Sequence, residues 1–154
     1  MKFNADKKQT IILYLLEKIS ANTKSVSKVV SDAFDISTNT VHTYINELIL
    51  DGVIKKGKRG QYELVSTQFD YTLKRSKGEL DSDTYAYDAC LSRHIASLAE
   101  NVKRIWLYAF TEMANNVVDH SDAENMQVTV IQNYLETAVI IMDDGVGIFE
   151  KIKK

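Results

Sequence analysis

Glu112, Asn116 and His120 recur every four residues at the end of a long helical pattern. At about 100° per residue they share one strip of helix surface, with Asn115 and Asp119 beside it. An apolar stripe through Val102, Trp106, Phe110, Met113 and Val117 occupies a neighbouring face and should pack inward. Amides, acids and an imidazole beside a core stripe make a hydrogen-bonding site. An ordinary solvated face would carry mixed Lys and Glu instead.

A second chemical stretch, Asp143-Asp144-Gly145-Val146-Gly147, directly follows the apolar run Val139-Ile140-Ile141-Met142. A carboxylate at a strand end can accept a hydrogen bond, and alternating glycines let backbone approach a ligand closely. Glu112-x-x-x-Asn116 followed by Asp143-x-Gly145-x-Gly147, with a hairpin-like pattern between them, resembles the GHKL superfamily of ATP-binding domains, which includes the histidine kinases. The first element matches that family's N-box and the second its first glycine box. The resemblance covers about Leu80 to the C-terminus.

That resemblance implies a role for each matching residue. Asn116 would hold Mg²⁺ between triphosphate oxygens, an amide oxygen being a hard neutral ligand. Glu112 would be the catalytic base that orients an attacking water or hydroxyl. Asp143 would read the adenine amine, and Gly145 and Gly147 would let the next loop curl under the nucleotide. Asn115, Asp119 and His120 would line the same pocket. ATP and Mg²⁺ are thus the implied cofactors. The family's nucleotide lid and second glycine box would follow Gly147, where only seven residues remain, so a chain shortened before the lid is expected. His94 lacks the acid and proline expected around a histidine-kinase phosphoacceptor and reads as an amphipathic helix residue.

The elements that position these residues begin with a different module. Asp6 with Gln9 suggests a cap for a first helix carrying Ile11, Ile12, Leu15, Leu16 and Ile19. Ser25 can cap a second helix with Val26, Val29, Val30 and Ala33 inward. Ser37 can cap a third, with Val41, Tyr44, Ile45 and Leu48 inward, which Asp51-Gly52 stops. Val53 to Val65 then reads as two short strands around a basic, glycine-containing tip. Three helices and such a hairpin resemble the winged helix-turn-helix of bacterial transcription regulators. The resemblance makes Ser37–Leu50 the recognition helix, with Thr38, Asn39, Thr40, His42 and Thr43 facing DNA, and sets Lys55, Lys56, Lys58 and Arg59 against phosphate or the minor groove.

The expected fold class is therefore α+β. A winged helix-turn-helix over residues 1–66 precedes the N-terminal part of a GHKL-type α/β sandwich over residues 67–154, with helices on one face of a mostly antiparallel sheet. Phe69, Tyr71 and Leu73 alternate with polar residues as one strand. Thr84 to Ala99 reads as one helix with Tyr87, Leu91, Ile95 and Leu98 on one side. Glu100 to His120 reads as the long site-bearing helix, and 126–133 and 137–143 as an antiparallel pair.

Composition sets the bounds. Hydrophobic content of 45% and charged content of 26% suit a globular chain. No apolar run approaches the ~20 residues that cross a bilayer, so no membrane partner is expected. The single Cys90 allows no internal disulfide, which fits a reducing cytoplasm, and reads as a small buried hydrophobe. Residues 1–65 carry ten basic against seven acidic side chains, a net +3; residues 66–154 carry nine against fourteen, a net −5. The basic half and the acidic half should meet different partners.

These readings converge on a bacterial, cytoplasmic DNA-binding regulator whose ATP-binding module responds to nucleotide or to a protein partner. Two alternatives stay open: an anti-sigma-type serine kinase or ATPase, and an interaction or homodimerisation module with a vestigial nucleotide site. With about four phosphates neutralised at the hairpin tip, log K for DNA should fall against log salt with a slope of roughly −3 to −4, measurable by fluorescence anisotropy.

Overall fold

The computed structural model describes residues 2–146, with the side chains of residues 2–4 and Arg59 outside the description. The chain is α+β, with five α-helices and two antiparallel sheets among the described residues. The described residues divide into two compact units: one holds residues 2–67 with 132–137, the other residues 68–131 with 138–146.

In the first unit, α1 (Lys2–Ser20), α2 (Val26–Phe34) and α3 (Thr38–Leu50) precede a hairpin of β1 (Ile54–Lys56) and β2 (Tyr62–Leu64). Ile11, Leu15, Leu16 and Ile19 of α1, Val26 and Val30 of α2, and Val41, Ile45 and Leu48 of α3 form one buried core with Ile54. Helical spacing of those residues is the reason each helix forms where it does. Ser37 caps α3 as expected, accepting from the Thr40 N–H at 3.1 Å. Gly52, at φ +70°, ends the exit turn in a conformation that only glycine adopts without strain. The strands pair antiparallel, with Ile54 opposite Leu64 and Lys56 opposite Tyr62.

Two caps differ from expectation. α1 already runs from Lys2, so Asp6 lies inside the helix, its carbonyl taken by the Thr10 hydroxyl at 2.9 Å. Ser25 precedes α2 in a left-handed conformation, φ 52°, and its side chain caps nothing. Its backbone carbonyl serves instead, accepting from Lys28 and Val29.

The second unit contains α4 (Asp83–Cys90), α5 (Glu100–Asn115) and, apart from the end residues Thr67, Gln132 and Thr137, the strands β3 (Thr67–Lys74), β4 (Asn125–Gln132) and β5 (Thr137–Asp143). The strands form one sheet in the order β3-β4-β5. Strand alternation sorts it into two faces. Leu73, Met126, Val128 and Val130 are buried, and Phe69, Tyr71, Val139 and Ile141 pack against the same core as Ala86, Cys90 and Phe110 of the helices. The helices thus cover one face. Ile140 and Met142, on the other face, are exposed.

The expected helix from Thr84 to Ala99 is broken. It ends at Cys90, passes through a 3₁₀ turn at Ser92–His94, and leaves Leu98 exposed. The Ser92 hydroxyl donates to the Asp88 carbonyl four residues back, a bond that competes with helix propagation. Leu91 and Ile95 stay buried, so the interruption costs the core little. Met113 is a second correction: at 40% exposure it does not join the apolar stripe, and Ala114 takes the buried position. Cys90 is fully buried, and burial pushes its thiol up to about 11, out of the reactive range.

Phe110→Ala should therefore cost about 3–5 kcal/mol by opening the centre of the second core. Met113→Ala should stay within roughly 0.5 kcal/mol, as exposed sites do. Urea unfolding of the two variants checks the contrast.

Candidate functional site

The helix that carries Glu112 and Asn116 changes character where the site begins. It is α-helical through Asn115, and the Asn116 N–H still donates to the Glu112 carbonyl, so these two residues are one α-turn apart. From Asn116 to His120 the chain forms a π turn. The wider turn takes an extra residue, so His120 follows Asn116 by less than one full turn. Sequence spacing does not reveal this. π turns are often found at functional sites.

Glu112, Asn116, Asp119 and His120 are exposed, and Asn115 is half-buried. Only the apolar positions of the turn face inward, with Val117 buried.

Two side chains hold the end of the turn. The Ser121 hydroxyl, buried, donates to the Val117 carbonyl at 2.8 Å and accepts from the Ala123 N–H at 3.1 Å. Arg75, just past β3, donates from Nε to the Ala123 carbonyl at 2.7 Å. Its Nη2 reaches the Val118 carbonyl at 3.1 Å and the Val117 carbonyl at 3.3 Å. A cation among the unpaired carbonyls of a helix C-terminus also suits the helix dipole.

The glycine stretch meets this helix end. The Val146 N–H donates to the Ser121 carbonyl at 2.8 Å. A Cβ on Gly145 would lie 2.1 Å from the same carbonyl oxygen, so no side chain fits there. The close approach that requires glycine at position 145 is thus to Ser121. Before it, Asp143 closes β5 in phase with the core-facing Val139 and Ile141, and its Oδ1 accepts from the Gly145 N–H at 3.0 Å. Asp144 points the other way. It accepts from the Asn125 side chain at 2.6 Å and from the Asn125 backbone N–H at 2.9 Å. Those bonds, the side-chain one foremost, hold its carboxyl below the ordinary 3.8. Gly147 lies outside the described residues.

The Asp143–Val146 turn thus meets the chain at Ser121, five residues beyond Asn116. A cleft of about 490 Å³ at the strand ends is lined by Thr72, Lys74, Asn125, Gln127, Met142, Asp143 and Asp144. Asp143 borders it, but Glu112 and Asn116 do not. Among the described residues no three His, Cys, Asp or Glu side chains gather as a metal cage. His94 packs its ring on Phe69 with centroids 4.4 Å apart, and its Nε2 shares a 2.6 Å hydrogen bond with the Tyr71 hydroxyl. That ring is built into the fold.

In the first unit, Thr38, Asn39, His42 and Thr43 are exposed on α3. Thr40 is half-buried, its hydroxyl 2.9 Å from that of the cap Ser37, and the Thr43 hydroxyl donates to the Asn39 carbonyl. Lys55, Lys56 and Lys58 are exposed on the hairpin. Lys55 lies 3.4 Å from Glu63 on the facing strand, a solvent-screened pair. The Arg59 side chain lies outside the description. His42 also borders a small cleft of about 140 Å³, with Asn22, Thr23, Ser25 and Gln61.

The chain matches no protein-family model, no curated protein and no solved structure.

Gly145→Ala should break the Val146–Ser121 bond and cost roughly 1–3 kcal/mol by overpacking, read by denaturant unfolding. The Asp144–Asn125 clasp sets a pH dependence. Its folded pKa is depressed, so its contribution is present above the ordinary 3.8 and is lost as pH falls through the folded value. The stability gap between wild type and Asp144→Ala should therefore be open at pH 7 and close in acid.

Proposed function

We propose that the chain is a DNA-binding regulator in which a winged helix-turn-helix is joined to a GHKL-like module that binds ATP with Mg²⁺. The observation that carries the nucleotide half of this reading is the 2.8 Å hydrogen bond from Val146 to Ser121. It brings an Asp-x-Gly turn against the end of the helix that bears Glu112 and Asn116.

The donor set suits the ligand. Asn116 offers an exposed amide oxygen and would hold Mg²⁺, with water and nucleotide oxygens supplying the other ligands. Asp143 keeps one carboxylate oxygen beyond its bond to Gly145, able to accept from an exocyclic amine. Glu112, one turn before Asn116 and exposed, would orient an attacking water or hydroxyl. Asn115, Asp119 and His120 supply further polar contacts around the turn. The bound ion would neutralise charge on the triphosphate.

The DNA half rests on the first unit. A capped helix presents Thr38, Asn39, His42 and Thr43 outward, and a hairpin carries Lys55, Lys56 and Lys58 in a basic segment. Small polar side chains at a helix N-terminus can reach base edges, and lysines contact phosphate. Nucleotide would act by binding more tightly to one of two states that differ in DNA affinity. Linkage then makes the effect reciprocal for the two ligands.

Isothermal titration with Mg-ATP should give a saturable heat for wild type, little for Asp143→Asn, and a weakened but still measurable affinity for Asn116→Ala. Equal heats for all three would remove the nucleotide reading. Anisotropy on labelled duplex DNA should show salt-sensitive binding that Mg-ATP shifts.

A further inference from the structure

Arg75 belongs to neither sequence motif, yet it makes the most extensive set of side-chain contacts to the end of the site helix. Its backbone N–H donates to the Glu124 carbonyl at 2.9 Å, and the adjacent Ser76 N–H donates to the Glu124 carboxylate at 3.2 Å. The base of the side chain is therefore fixed to the segment that follows the helix. From there the guanidinium reaches three carbonyls: Ala123 through Nε, and Val117 and Val118 through Nη2. Val117 and Val118 belong to the π turn that opens with Asn116.

We infer that Arg75 is a positioning residue for Asn116: its planar fork holds the π turn in the register that aims the Asn116 amide at a nucleotide-bound Mg²⁺. This deepens the nucleotide reading above and rests on it. The physical reason is geometric. A π turn leaves carbonyls that an α-helical ladder would have used differently, and the Ser121 hydroxyl and N–H reach Val117 but not Val118. Arg75 supplies the donor to Val118 and ties it to Ala123 across the bend. Lysine keeps the charge but lacks the fork, so it satisfies the helix dipole without fixing two carbonyls at once. The guanidinium is thus needed for direction as well as for charge.

The test is a double-mutant cycle on Arg75→Lys and Asn116→Ala, read by calorimetric affinity for ATP with Mg²⁺ and with EDTA. Arg75→Lys should weaken Mg-ATP about tenfold, the usual size of a lost outer contact to a metal ligand, and leave metal-free ATP unchanged. On the Asn116→Ala background the same substitution should have no further effect. Additive losses, or equal losses with and without Mg²⁺, would make Arg75 merely structural and overturn the inference while sparing the nucleotide reading. No binding by wild type would end both. Arg75→Gln, which removes the charge, is the second variant. Far-UV circular dichroism showing both variants unfolded would assign Arg75 to stability alone and likewise overturn the positioning role.

Discussion

The carbonyl of Ser121 is the point on which the local geometry of the second unit's two polar segments depends. The hydrogen bond it accepts from Val146, with the close approach of Gly145 beside it, makes neighbours of two polar segments that a whole hairpin separates in sequence. The helix must end where it does for that carbonyl to be presented. The buried Ser121 hydroxyl and the Arg75 guanidinium set that end by taking the carbonyls of the last turn. On the strand side the Asn125–Asp144 clasp fixes the close of β5 against the start of β4. The placement of Asp143 follows from it. Each of these bonds lies outside the regular backbone ladder, and together they define the local geometry.

Much of the scaffold could be read from residue spacing because burial is periodic. Val41, Ile45 and Leu48 repeat as a helix face, and all are buried. Phe69, Tyr71 and Leu73 alternate as a strand face and pack on the same core. Ser37 followed by Thr40 gives the expected cap, and Asp51-Gly52 the expected stop. These are local rules acting on local sequence, so the sequence carries them.

What escaped has three causes, the first of them a contact distant in sequence. Nothing in the stretch around Asn116 marks a π turn, because the carbonyls it leaves are satisfied by an arginine more than forty residues away. The break after Cys90 was hidden because Leu91 and Ile95 keep helical spacing in the core while the Ser92 hydroxyl diverts the backbone. Met113 illustrates a third cause. It has the right hydrophobicity and nearly the right phase, but Ala114 takes the buried place. The site residues themselves are legible as types and spacing. The meeting of their segments at Ser121 rests on a bond between residues far apart in sequence, which spacing does not carry.

The central claim is that the Asn116 turn and the Asp143 turn act as one nucleotide site, and NMR chemical-shift mapping tests it most directly. Adding Mg-ADP to ¹⁵N-labelled protein should move the amide resonances of Asn116–Ser121 and Asp143–Val146 together, along one binding curve. Shifts confined to one of the two segments, or none in either, would contradict it.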